Sequence, residues 1–396
     1  MRARGAVAFG VALIAFLVAG IYLGGHPSKL PGFARETFTE EPTSLVSEAS
    51  EIIKDNYFRK VGNTELGNAS LQGMVRELRK RHKDRFSDYF SPESLAGFNQ
   101  EIEGRFSGIG LSVVSVKKGL HVVKVFHGSP AEEGGIEAGD TIVSVEGESI
   151  AGLGSTEATN RIKGEEGTQV TVGVLDAKTK KTTEKTLTRA EVELPNLSSH
   201  LFTTDGRKIG YVRLFSFSSE ASKQLARGLE KVKEEGAEGI VLDLRENPGG
   251  LLEEAVMSAS LFLPEGEVVV TTKSRTKGDS TKKTAAGKIV DVPFDVLVDR
   301  NTASSAEILT AALNEDGEAT VVGTRTYGKG VFQEEHDLAN GGALKLTVGE
   351  FFTPDGENLA RTGGIHPEVK AVDKPRTTVD EARQKALETV ASQVSG

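Results

Sequence analysis

From Lys208 onward the chain alternates strand and helix patterns, and this alternation restricts the fold more than any other feature. KIGYVRLFSF (208–217) reads as a strand and SSEASKQLARGLEKVKEEG (218–236) as an amphipathic helix. GIVLDLR (239–245) is a near-continuous apolar run of the kind buried on both faces of a sheet. NPGG then reads as a turn and LLEEAVMSASLFL (251–263) as a helix. FDVLVD (294–299), SSAEILTAALNED (304–316) and EATVVG (318–323) continue the series as strand, helix and strand. Such repeated βαβ order predicts a mixed α/β core with a largely parallel sheet. A tail helix over about 378–393 closes the chain.

The region before that core has two further characters. Leu45, Val46, Ala49, Ile52, Ile53 and Tyr57 recur at helical spacing, as do Leu71, Met74, Val75 and Leu78. Ser91 followed by Pro92 is a helix N-terminus signature, so 44–103 is expected to be a small helical region. From about Gly104 to 190 the pattern becomes short alternating strands broken by glycine: GIGLSVVSV, GLHVVKVF, DTIVSVEGESI and TQVTVGVLD. SPAEEGG and STEATNRIKG supply two short helical pieces, which makes a compact β-rich module. Lys178 to Lys185 reads as a solvated, charged hairpin tip. The predicted organisation is therefore multidomain α+β, with the α/β core over 191–372 and the closing helix over 373–396.

The N-terminus bears on location. Arg2 and Arg4 precede an uncharged apolar run from Ala6 to Leu23. Its length, about 18 residues, matches a membrane span better than a signal-peptide core of about 7–15. Residues 1–25 are read as a signal-anchor with the arginines in the cytoplasm and the body outside. A cleaved signal peptide followed by secretion is the alternative. Residues 26–43, rich in Gly, Pro and polar types, read as a tether.

Composition removes several classes of function. There is no cysteine, so thiol nucleophiles, thiolate metal sites and disulfides are all excluded. With 48 Lys+Arg against 57 Asp+Glu the chain is mildly acidic, and no basic cluster interleaves with aromatics, which argues against nucleic acid. No zinc-ligand spacing occurs, so no metal or cofactor is expected.

In open α/β sheets ligands bind beyond the carboxyl ends of strands. Three polar loops leave such ends here: NPGG, RNTASSAE and GTRTYGKG. Ser304 stands three residues before Glu307 at the start of an apolar helix, a capping box in which most serines only cap. The same position could instead present a nucleophile at the positive end of the helix. A serine needs a base, and the seven histidines (His26, His82, His121, His127, His200, His336, His366) are scattered without a triad setting. Lys329, in the glycine-flanked GTRTYGKG, is the remaining candidate, because a buried lysine can give up its proton near neutral pH. That loop also matches most of a phosphate-binding GxxxxGK. Gly330 stands where the magnesium-binding Ser or Thr should be, and the following residues alternate instead of showing helical spacing.

Several ordered motifs together resemble the C-terminal processing peptidases, or tail-specific proteases: Ser–Lys serine peptidases with an inserted PDZ domain. They are GIGLSV, SPAEEGGIEAGDTIVSVEG, GIVLDLRENPGGLL, NTASSAEI, VVGTRTYGKGVFQ and FFTPDGENL with GIHPEV, covering about Leu45 to Val372. The resemblance implies Ser304 as nucleophile, Lys329 as base and Gln333 as the residue orienting the lysine. It implies the amides of Gly250 and Ser305 as the oxyanion hole, and Gly108, Ile109, Gly110 and Leu111 as the carboxylate-binding loop of the PDZ domain. The expected partners are protein substrates with apolar C-terminal tails, with homodimerisation through the terminal helices also implied. In two places the sequence departs from the family pattern. Ser305–Ala306 stands where Ala then Ser is commoner, which makes Ser305 a decoy. Lys163 in RIKG replaces a frequent arginine and lacks its planar fork. A PDZ adaptor with an inactive peptidase domain is the competing reading.

Overall fold

The structure is a computed structural model that describes residues 41–193, 196–315, 319–374 and 379–394. The apolar run Ala6–Leu23 and the tether up to residue 40 lie outside the described residues. Among the described residues no helix is long and apolar enough to cross a membrane. Two compact units are present: the described residues up to Ser91 with Glu335–Leu346, and Pro92–Glu334 with the described residues from Thr347 on.

In the first unit, α1 (Glu41–Asn56) and α2 (Asn63–His82) precede the short strand β1 (Asp88–Phe90). Val75 is the buried residue of α2, and Tyr89 of β1 donates its hydroxyl to Asn68 of that helix at 2.8 Å. Leu45, Val46, Ile52 and Ile53 of α1 and Met74 and Leu78 of α2 stand exposed.

The second unit opens with α3 (Pro92–Glu103), which starts at the proline as expected, and β2 (Arg105–Gly108). The β-rich module follows as β3 (Leu111–Val116), β4 (Gly119–Val125), α4 (Pro130–Glu133), β5 (Thr141–Val145), β6 (Glu148–Ser149), α5 (Ser155–Ile162), β7 (Gln169–Leu175) and β8 (Thr182–Thr188). Its sheet runs β3-β4-β5-β7-β8, which leaves β3 at an edge. Ile109, Leu120, Val122, Ile142, Ile150, Ile162, Val170 and Val172 close its core. The expected charged hairpin tip is narrower than 178–185, because β8 begins at Thr182 and pairs in full register with β7. Strand β9 (Ala190–Glu193) leaves the module and pairs antiparallel with β2, Ala190 opposite Gly108.

Along the chain there follow β10 (Leu197–Thr204), β11 (Arg207–Leu214), α6 (Ala221–Glu234), β12 (Gly239–Asp243), α7 (Leu252–Ala259), β13 (Val268–Ser274), β14 (Gly278–Lys283), β15 (Phe294–Val298), α8 (Ser305–Glu315), β16 (Ala319–Gly323), β17 (Val331–Asp337), β18 (Ala343–Phe352), α9 (Leu359–Thr362), β19 (Val369–Lys370) and α10 (Glu381–Val394). The main sheet has the order β10-β11-β12-β15-β16-β19. Every pairing from β11 to β19 is parallel, and only the β10–β11 hairpin is antiparallel. Alternate residues face opposite sides of such strands. Ile240, Leu242, Val296, Val298 and Val321 meet α6, α7 and α8 on one side. Ile209, Tyr211, Val241, Leu297 and Val322 meet α10 on the other. That three-layer burial explains why β12 and β15 are apolar almost throughout.

Candidate active site

The loops leaving β12, β15 and β16 come together at the carboxyl ends of the parallel strands. Asn247, fully buried, organises the first of them. Its side chain donates to the Leu214 carbonyl and accepts from the Gly249 N–H, while its carbonyl accepts from the Ala303 N–H. Phe217 then bridges the turn, its N–H on the Gly249 carbonyl and its carbonyl receiving the Leu251 N–H. Neither bond uses the N–H of Gly250. Glycine is required at both turn positions. Gly250 has φ 144°, and a Cβ there would come within 2.4 Å of the Phe217 carbonyl oxygen. A Cβ on Gly249 (φ 97°) would come within 2.8 Å of the Ser304 Cβ, so the turn lies directly against that serine.

Ser304 immediately precedes α8 and has φ 57°, a left-handed conformation that costs a non-glycine residue of order 1–3 kcal/mol. Ser305 next to it is 2 % exposed and donates its hydroxyl to the Gly250 carbonyl at 2.9 Å. The two adjacent serines therefore differ: one has its hydroxyl committed to the glycine turn, the other sits in strained backbone at the helix entrance.

Glu307 links the serine to the lysine loop. Its carboxylate has no solvent exposure and accepts four hydrogen bonds. Oε2 takes the backbone N–H groups of Ser304 and Lys329, each at 3.0 Å. Oε1 takes the Thr326 hydroxyl at 2.6 Å and the Gly328 N–H at 2.7 Å. Burial pushes the Glu307 carboxyl above the usual carboxylate range, against the downward pull of those four donors. The expected capping box is thus present in the half where the acid reaches back to the serine N–H, and the same acid also holds the loop that carries Lys329.

Lys329 is half-buried, and its Nζ donates to Gln333 Oε1 at 2.9 Å. Gln333 in turn donates to the Thr347 hydroxyl at 3.3 Å. The chain after Gly330 is strand β17, not the helix that a phosphate-binding loop needs. Among the described residues no cluster of His, Asp or Glu could hold a metal ion.

A buried charge network stands behind the NPGG turn. The Arg245 guanidinium bonds Asp243 within β12 and both carboxylate oxygens of Asp380, at 2.8 and 2.9 Å, just before α10. Burial opposes its charge, but these carboxylates outweigh it and keep the arginine protonated. Tyr211 donates to Asp243, and burial first and that carboxylate second push its phenol up. Neither Asn247 nor the Arg245–Asp380 link was visible as a functional element in the sequence.

The loop Gly108, Ile109, Gly110 and Leu111 is in the β-rich module, away from these residues in sequence. Ile109 belongs to the module core, and its carbonyl accepts the Ala131 N–H from α4. The Gly110 carbonyl accepts the Phe126 N–H. Leu111 begins the edge strand β3, against which α5 packs. Lys163, just past α5, is exposed.

Comparison with known proteins agrees with both halves of this architecture. Residues 208–371 match the model of peptidase family S41 and residues 98–175 that of the PDZ domain. The chain is 32% identical over 373 residues to the carboxy-terminal processing protease CtpA of Bacillus subtilis, covering 92% of this chain and 76% of that one. It is 33% identical over 373 residues to the carboxyl-terminal-processing protease of Synechocystis, covering 90% and 85% of the two chains. A solved photosystem II D1 C-terminal processing protease superposes with a TM-score of 0.51 at 26% identity, covering 86% of this chain and 91% of the other. The β-rich module is accordingly a PDZ domain inserted ahead of a peptidase core, and the chain belongs to peptidase family S41, among the carboxy-terminal processing serine proteases.

Proposed function

We propose that this chain is an endopeptidase that takes the C-terminal tail of a protein substrate in its PDZ domain and cuts the substrate with Ser304 and Lys329. In this reading Ser304 Oγ attacks the scissile carbonyl carbon and its proton passes to the Lys329 amine. The Gly250 and Ser305 N–H groups donate to the resulting oxyanion, a contribution of about 2.7–4 kcal/mol per donor. The Lys329 ammonium then protonates the departing amine, leaving an acyl-enzyme. Water gives its proton to the same lysine as it attacks, and the acid product and free serine result. Gln333 suits its place beside the lysine because a neutral amide holds the amine without favouring its charged form as a carboxylate would.

The observation that carries the reading is the shared Glu307 oxygen, which fixes the backbone of the serine and of the lysine to one point. The turn of Gly249 against Ser304 supports it, because the next residue of that turn is Gly250, one of the two proposed oxyanion donors. The test is cleavage of a tail-tagged reporter by purified Ser304→Ala and Lys329→Ala proteins. Both are expected to be inactive and folded, and cleavage persisting in Ser304→Ala overturns the assignment.

The PDZ loop Gly108–Leu111 and edge strand β3 suit a tail with a free carboxylate and small or branched apolar residues, captured by backbone amides and strand pairing. The uncharged run Ala6–Leu23 behind Arg2 and Arg4 supports export, with the body held at the outer face of the membrane or released by signal cleavage. The exposed apolar residues of α1 and α2 support pairing of two copies, which sedimentation would detect.

A further inference from the structure

We propose that Arg189 is a positioning residue that ties the tail-binding groove of the PDZ domain to the strands leading into the peptidase core. The proposal rests on the tail-binding reading above.

Arg189 lies between β8 and β9, and three structural elements meet at it. Its Nε donates to the Ile162 carbonyl at 2.7 Å, at the last turn of α5. Its Nη1 donates to the Thr168 hydroxyl and the Gln169 carbonyl, both at 2.9 Å, where β7 begins. Its own backbone continues the β7–β8 ladder: its N–H bonds the Thr168 carbonyl and its carbonyl accepts from Gly167. The next residue, Ala190, opens β9 and pairs with Gly108, the first residue of the carboxylate-binding loop. One guanidinium therefore joins the helix beside edge strand β3 to the strand that leaves the module opposite the loop.

A cationic side chain at a helix C-terminus is often only a cap for the last carbonyls. Two features exceed that role. The planar fork is divided between α5 and β7, so the helix cannot shift along its axis without displacing the β8–β9 junction. Gly164 also makes room for it, since a Cβ there would stand 2.7 Å from Arg189 Nε. A tail seated between β3 and α5 would press on the helix, and the fork passes that displacement to β9 and to Gly108. Lys163, the residue after the one whose carbonyl Arg189 holds, turns its side chain to solvent instead.

The experiment compares wild type with Arg189→Gln, Arg189→Lys and Gly164→Ala in the full chain. The probes are a fluorescent peptide with a free, apolar C-terminus and two reporters, one bearing that tail and one with the tail amidated. Peptide Kd is measured by anisotropy in a Ser304→Ala background, and cleavage rates are measured with active serine. Wild type should cleave the tailed reporter faster, and all three variants should lose about tenfold of that advantage, within the usual range of coupling between sites. Peptide Kd and cleavage of the amidated reporter should stay near wild type. An unchanged advantage in Arg189→Gln overturns the proposal. So does a Kd that weakens in step with the rate, which would make Arg189 part of the groove and nothing more. A wild type without tail preference overturns the tail-binding reading itself and is recognised before any variant is made.

Discussion

Glu307 accepts the backbone N–H of Lys329 at 3.0 Å on the same oxygen that accepts the N–H of Ser304. Sequence separates the serine and the lysine by a helix and a strand, and one carboxylate removes that separation. Glu307→Gln would set an amide group against N–H and O–H donors and lose part of the four-bond set. Hydrogen bonds to charged groups contribute about 1.5–3 kcal/mol each, so the variant should unfold at lower temperature and lose most of its cleavage rate. Thermal unfolding and reporter cleavage check this, and a Glu307→Ala protein with near wild-type turnover would contradict it.

Ser305→Ala separates the adjacent serines. The Ser305 hydroxyl supports the Gly250 carbonyl and has no place in the proposed proton path. Its removal should cost about 1 kcal/mol of stability and leave cleavage within a few-fold of wild type. Denaturant titration and steady-state rates on one preparation test both parts.

Gly250→Ala should be far more damaging than its one added methyl suggests. The position has φ 144° and only 2.4 Å to the Phe217 carbonyl oxygen, so the turn must move. If Gly250 donates to the oxyanion as proposed, displacing that donor should lower kcat by about 100- to 1,000-fold. The expected result is a loss of that size with substrate tail binding unchanged, measured as kcat against peptide Kd.

Gln333→Glu tests the neutral amide beside Lys329 Nζ. A carboxylate at 2.9 Å would favour the charged amine, so the rising limb of the activity–pH profile should move to higher pH. A profile that does not move would separate the lysine from the rate-determining proton transfer.

Asp295 governs a different pH response. It is fully buried in β15, with Oδ1 held by Gln393 and Oδ2 without a partner. Burial pushes its carboxyl up to about 6 from the ordinary 3.8. A raised carboxyl favours folding while protonated: its stabilisation is full below about pH 4 and is lost as pH rises through 6. The difference amounts to at most about 3 kcal/mol. Wild type should therefore lose stability relative to Asp295→Asn between pH 5 and 7.5, as read from paired urea titrations.

Much of this was legible in the chain itself. The parallel core was readable because β12 and β15 are buried on both faces and carry continuous apolar runs. Strands β8, β10 and β14 were not recognised, and they share a cause. Each lies at the end of a strand order, and β8 buries only Leu187 while β14 buries nothing. At the edge, β8 and β14 carry charged residues that discourage further pairing and β10 carries serine and threonine, so their patterns resemble loop. The serine, lysine and glutamine stood out through their motifs. Glu307 registered only as a helix cap, because periodicity cannot say that a capping acid also receives a loop over twenty residues downstream.

The Arg245 salt link to Asp380 imposes an order on the making of this molecule. The ribosome produces the glycine turn, both serines and the Arg245–Asp243 pair well before the second acid, Asp380, which follows Arg245 by 135 residues. A nascent chain therefore holds every proposed reacting group while the Asp380 half of the network behind the turn is still to come. A chain interrupted before that acid would hold Arg245 through Asp243 and Asp373 alone, without the two-oxygen grip of Asp380 behind the turn.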